Sequence, residues 1–174
     1  FGLVVKCPYL HLIGLNPNPR NTVLASQRGQ TQGAVGNFTM FDFWGDGMVV
    51  KNLTMGNYCN VDLDYKLDPS LSRKRRADAI VQAQLIICNG DDYRVRNCRF
   101  ISRLNLCPFV GARRVLFEDC YFECTDDALC GTGIYRHCLF TFYSSKPFYA
   151  TSPQGAVFED CDIHSKVHGT QYLT

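Results

Sequence analysis

One short phrase recurs along the second half of this 174-residue chain. It reads Arg96-Asn97-Cys98-Arg99-Phe100, then Glu118-Asp119-Cys120-Tyr121-Phe122, Arg136-His137-Cys138-Leu139-Phe140 and Glu159-Asp160-Cys161-Asp162-Ile163. The cysteines are spaced 22, 18 and 23 residues apart. Earlier members are Val50-Lys51-Asn52-Leu53-Thr54-Met55 and Leu10-His11-Leu12-Ile13-Gly14-Leu15. Self-similarity at this period marks a solenoid, in which each unit buries its apolar face only against its neighbours.

Within each phrase apolar and polar residues alternate, which is a strand period and not a helical one. Turn residues precede the phrases at Gly45-Asp46-Gly47, Asn89-Gly90-Asp91, Gly131-Thr132-Gly133 and Pro153-Gln154-Gly155. The expected fold is therefore all-β, a right-handed parallel β-helix of about six coils built as a single domain over residues 1–174. A charged excursion at about residues 60–79, containing Arg73-Lys74-Arg75-Arg76, interrupts the repeat as a solvated loop or as the wall of a groove. The chain opens on Phe1-Gly2-Leu3 without a leader pattern and stops at Tyr172-Leu173-Thr174, so a segment of a longer β-helix is expected.

Ten cysteines in so short a chain suggest a disulfide framework, but their repeated placement gives a second reading. Cys98, Cys120, Cys138 and Cys161 form an interior ladder, small and apolar enough for a narrow coil. Free thiols are expected there, although adjacent rungs are close enough to be bridged. No Cys/His spacing matches a zinc site. A net charge of +2 gives no whole-chain reason to expect nucleic acid, and no apolar run is long enough for a membrane span.

The sequence resembles the pectin methylesterases, within the pectin-lyase-like β-helices. Gly45-Asp46-Gly47-Met48-Val49-Val50-Lys51-Asn52-Leu53-Thr54 is similar to the family segment GDGF-x-x-x-NLT. Gln82-Ala83-Gln84-Leu85, Asn89-Gly90-Asp91 and Asn97-Cys98-Arg99-Phe100 resemble QAxAL, GD and NCRF in order. Val157-Phe158-Glu159-Asp160-Cys161-Asp162-Ile163-His164-Ser165 resembles a later coil, and Leu12-Ile13-Gly14-Leu15 with Asn21-Thr22-Val23-Leu24 an early one.

The resemblance implies an esterase in which one carboxylate attacks a methyl ester, a second carboxylate serves as acid and base, and glutamine amides hold the oxyanion. Carried over position by position, it implies Asp127 as nucleophile and Gln82 as an amide donor. Asn105 stands at the acid/base position and Leu104 at another amide position. Asparagine can hold a hydrogen bond but supplies no proton. A register shifted by one coil puts Asp126-Asp127 on the acid/base segment and Ser145 at the nucleophile. The family arginine falls beyond Thr174. Asp126, Lys146, Phe148 and Tyr149 are expected to contact substrate, and no metal or other cofactor is implied.

Two other readings stay open. A β-helix that has lost its proton donor can serve as a carbohydrate-binding or structural module. The Asp126-Asp127 pair can also serve a glycoside hydrolase, if a bulge turns both carboxylates to one face. The expected partner is an acidic, pectin-like plant polysaccharide outside the cell, in the periplasm or at the cell surface. Self-association through solenoid ends is a further expectation. His137 occupies a slot filled by Asn or Asp in sister coils, which predicts a structural hydrogen-bonding role. Phe41, Phe43 and Trp44 are expected at the core or coil edge in preference to a sugar platform, and Asn37-Phe38-Thr39 and Asn52-Leu53-Thr54 are glycosylation sequons.

Overall fold

A computed structural model describes residues 2–29, 39–60, 69–72, 83–102, 111–124, 129–143 and 148–170. It contains no α-helix among them, only three short 3-10 turns. No helix among the described residues is long and apolar enough to cross a membrane. The strands are β1 (Leu3–Val5), β2 (His11–Ile13), β3 (Val23–Ser26), β4 (Phe41–Phe43) and β5 (Val49–Lys51). They continue as β6 (Thr54–Asn57), β7 (Ile86–Cys88), β8 (Tyr93–Arg96), β9 (Arg99–Ile101) and β10 (Val115–Glu118). The last five are β11 (Tyr121–Cys124), β12 (Leu129–Arg136), β13 (Leu139–Phe142), β14 (Phe148–Glu159) and β15 (Asp162–Ser165).

Every pairing is parallel, and the strands fall into three sheets. The first is β1-β4-β7; the second runs β2-β5-β8-β10-β12-β14; the third runs β3-β6-β9-β11-β13-β15. Each coil thus contributes one strand to each face in turn, which is the stacked β-helix that the repeat predicts. The charged excursion at about residues 60–79 is described only at residues 60 and 69–72, where Pro69–Leu71 forms a 3-10 turn.

The register explains the core. Leu12, Val50, Val95, Phe117, Tyr135 and Phe158 align on the inner face of the second sheet. Leu24, Met55, Phe100, Phe122, Phe140 and Ile163 align on the inner face of the third. Aligned aromatic rings lie one strand spacing apart: Phe122 stacks on Phe140 at 4.9 Å, and Phe117 on Tyr135 at 4.9 Å. Between the two sheets Leu53, Cys98, Cys120 and Cys138 are buried one above another, and Cys161, partly buried, continues the column. Cys7, Cys59, Cys88, Cys98, Cys120, Cys138 and Cys161 are free. Each ladder thiol donates to the carbonyl two residues before it, at 3.2–3.4 Å.

Two local expectations are corrected. The repeated phrase is not one strand but two, joined by a sharp corner. Asn52, Asn97, Asp119, His137 and Asp160 all hold φ between 49° and 58°, a left-handed conformation that Asn and Asp tolerate better than most side chains. This corner resets the alternation, so Val95 and Cys98 both face inward although they are three residues apart. The turns expected at residues 131–133 and 153–155 lie inside β12 and β14. There the pairing shifts register, and Gly133 and Gly155 take positive φ.

Candidate functional site

Three polar contacts set the corner where the chain leaves the third sheet and enters the next coil. Ser102, fully buried just after β9, donates through Oγ to the Ala83 carbonyl at 3.0 Å. Its backbone N–H donates to the Glu123 carbonyl at 3.2 Å. Ala83, Ser102 and Glu123 therefore form one hydrogen-bonded column across three coils. Asn57, also fully buried, closes the column below, donating to the carbonyls of Gln84 at 3.1 Å and Arg28 at 2.7 Å. Its Oδ1 accepts from Arg28 N at 3.1 Å and, at 3.4 Å, from Cys59 N. That uses the whole hydrogen-bonding capacity of the amide, which explains why a polar group persists at zero exposure.

The same corner orders Gln84. Thr39 donates through Oγ1 to Gln84 Oε1 at 2.7 Å, while Arg28 Nε donates to the Thr39 carbonyl at 3.0 Å. The outer face of the first sheet begins here. Asp42 aligns between Val4 and Ile87 on that face, and Asn89 donates through Nδ2 to Asp42 Oδ1 at 3.2 Å. One step further along, Trp44 is 51% exposed, with Lys6 Nζ 5.9 Å from its ring centroid. An indole face with an ammonium beside it can stack on a sugar ring and pair with its carboxylate.

At the far end of this face the chain turns tightly enough to need glycine. A Cβ at Gly111, where φ is 89°, would collide with the Cys88 carbonyl. Tyr93 closes the turn beneath by donating to the Gly45 carbonyl at 2.6 Å. Burial pushes the Tyr93 hydroxyl and the Cys88 thiol above their ordinary ranges, so both stay protonated. On the exposed corner, the Arg114 guanidinium grips both oxygens of Asp91 at 2.9 Å and lowers its carboxyl below the usual range.

Gln82, Asn105, Asp126, Asp127 and Lys146 lie outside the described residues, as do Leu104 and Ser145. Phe148 and Tyr149 open β14, where Phe148 pairs with Leu129 of β12. Gln82 immediately precedes Ala83, Asn105 follows Ser102 by three residues, and Asp126-Asp127 lie between Cys124 and Leu129. Sequence reasoning missed Thr39, Asn57, Ser102 and the Lys6–Trp44 pair. A polar residue immediately after a strand that ends on apolar residues is a signal that could have found Ser102. Phe41 and Phe43 are buried as expected, while Trp44 sits half-exposed at the coil edge.

His137 stands between two sister-coil carboxylates, with Nδ1 3.6 Å from Asp119 and Nε2 3.8 Å from Asp160, separations longer than the hydrogen bonds expected of it. The Asn52 amide is engaged by Gly14 and Asn97, which disfavours its reading as a sugar-carrying sequon. Asn37 lies outside the described residues. No group of three or more His, Cys, Asp or Glu side chains among the described residues could hold a metal ion.

Three parallel sheets wound as a solenoid around an aromatic and thiol core define the parallel β-helix class. Within that class the fold is the pectin methylesterase type. Pectin methylesterase PemA from Erwinia chrysanthemi superposes with a TM-score of 0.68 at 16% identity, over 95% of this chain and 54% of that one. A pectin methylesterase variant crystallised with a hexasaccharide gives 0.67 at 17% identity, over 95% and 54%. The rice weevil pectin methyl esterase gives 0.64 at 14%, over 94% and 53%. The chain spans about half the length of these structures. No protein-family model and no curated protein sequence matches it.

Proposed function

We propose that the chain is part of a pectinesterase-like hydrolase and carries its catalytic and substrate-binding residues, acting on methyl esters of a galacturonate-containing polysaccharide outside the cell. The observation that carries this reading is the Ala83–Ser102–Glu123 column. The flanks of Gln82, Asn105 and Asp126-Asp127 are hydrogen-bonded to one another in three consecutive coils. A constellation drawn from such separate stretches requires a rigid frame of this kind.

In the proposed mechanism a carboxylate oxygen of Asp127 attacks the ester carbonyl carbon, and the Gln82 amide stabilises the oxyanion. The carbon–methoxy bond breaks, and the departing methoxide takes a proton to leave as methanol. Water then hydrolyses the acyl-enzyme anhydride, releasing the galacturonate carboxylate and restoring Asp127. Asn105 cannot supply the proton, so water must, and turnover is slow. Asp126, Lys146, Phe148 and Tyr149 contact the polymer, with Lys6 and Trp44 extending the track for acidic sugars.

Methanol release from methylated polygalacturonate tests the assignment. Asp127→Ala should abolish release, and Asn105→Asp should raise it by roughly 10²–10⁴-fold through restored acid–base catalysis. Equal release by the Asp127 variant removes that residue from the mechanism. Binding of oligogalacturonide with no methanol released by either protein favours a binding module, for which Asn105 is the supporting feature. New reducing ends without methanol favour glycoside hydrolysis by the Asp126-Asp127 pair.

A further inference from the structure

We propose that the outer face of the second sheet holds a separate site for a medium-chain aliphatic carboxylate. The ligand lies along the helix axis, with its head at Arg94 and Arg113 and its chain on Leu116, Ile134 and Val157. The register puts Arg94, Leu116, Ile134 and Val157 in one outward column on successive strands β8, β10, β12 and β14. The column is cationic at its foot and aliphatic above, with Ile134 40% and Val157 56% exposed. Three aliphatic rungs at one strand spacing each give an apolar track about 10 Å long.

The face is concave. A recess of about 570 Å³ opens along this column, within the range of roughly 300–1,000 Å³ typical of small-molecule sites. Gly133 and Gly155 line it and present no side chain, which leaves room beside Ile134 and Val157. The neighbouring column is a closed ion ladder, in which Arg136 pairs with Glu118 at 3.2 Å and Glu159 at 2.7 Å. Glu118 of that ladder lines the recess, and Arg136 is already engaged on both sides.

The head site differs from its surroundings in how tightly its arginines are engaged. Arg94 is held by Asp92 at 3.3 Å and Arg114 by Asp91 at 2.9 Å. Among the described residues the Arg113 guanidinium has only loose ion pairs, to Asp91 at 3.9 Å and Asp46 at 4.0 Å. Arg113 is therefore the cation with donors to offer a carboxylate. The upper part of the recess, at Leu116, Ile134 and Val157, offers aliphatic surface to a hydrocarbon chain and no side-chain partner to the hydroxyls of a sugar.

Calorimetric titration with octanoate, octanol and trigalacturonate tests the site, with Arg113→Ala and the milder Ile134→Thr as variants. Octanoate should bind saturably to the native chain. Arg113→Ala should weaken it about tenfold by removing a charge-assisted contact, and Ile134→Thr should weaken it measurably. Octanol should bind more weakly than octanoate, and trigalacturonate should not displace it. Absence of octanoate binding, equal binding of octanol, indifference to both variants, or displacement by trigalacturonate would each overturn the proposal.

Discussion

Asn97 donates through Nδ2 to Asn52 Oδ1 at 2.9 Å, one coil below, while both residues hold a left-handed backbone. The same nitrogen reaches the Pro17 carbonyl at 2.8 Å. An amide can donate and accept at once, so it can be stacked rung on rung. The upper rungs are Asp119, His137 and Asp160, where carboxylates only accept. An imidazole with nitrogens on both edges is the side chain that can address the two of them.

Asn97→Ala should therefore destabilise the chain by about 1–3 kcal/mol, combining left-handed strain with lost hydrogen bonds. Asn97→Gly should be milder, because glycine removes the strain and leaves only the hydrogen-bond loss. Urea unfolding of the three proteins gives the ranking, and an alanine variant as stable as the native chain would contradict it.

Acid should weaken the corner ion pairs. Arg114 lowers the Asp91 carboxyl and Arg136 lowers the Glu159 carboxyl from their ordinary values. Each contributes stability that is present above the usual carboxylate range and disappears as pH falls through the lowered value. Melting temperature should drop on acidification, and Arg114→Ala with Arg136→Ala should flatten that drop. An unchanged acid profile in the double variant would show the pairs to be indifferent to folding.

Thiol labelling should separate the cysteines by position. Cys7 is exposed and should react at once. Burial pushes the Cys98 thiol up to about 11 and raises Cys120 well above its ordinary value, so neither presents a thiolate near neutrality. Mass spectrometry after brief alkylation should find both unmodified until denaturant is added. Native labelling at the rate of Cys7 would contradict the interior ladder.

Gly111→Ala should cost more than an ordinary surface substitution, about 1–3 kcal/mol, because it combines positive φ with a backbone collision. The clash is with the Cys88 carbonyl, which cannot rotate away. Gly155→Ala shares the positive φ but has open space around it, so it should cost less. Thermal unfolding of the pair checks the order.

The solenoid was legible because the same phrase had to recur wherever a coil turned the same corner. Cys98, Cys120 and Cys138 announced their shared interior by spacing alone, and His137 declared its place by standing where sister coils carry Asn or Asp. The candidate site was legible only as a likeness of short segments. Ser102 and Asn57 carry no local mark of their partners, since Ser102 meets Ala83 and Glu123 from other coils.

Repetition in the chain determined that coils stack and which residues share a rung, because identical units can bury their apolar faces only against one another. Tertiary structure alone decided where each phrase bends and which carbonyl each buried polar group reaches. It also decided that the column of Arg94, Leu116, Ile134 and Val157 faces outward. A parallel rung joins residues about twenty positions apart, and stacking, not local preference, selects their register.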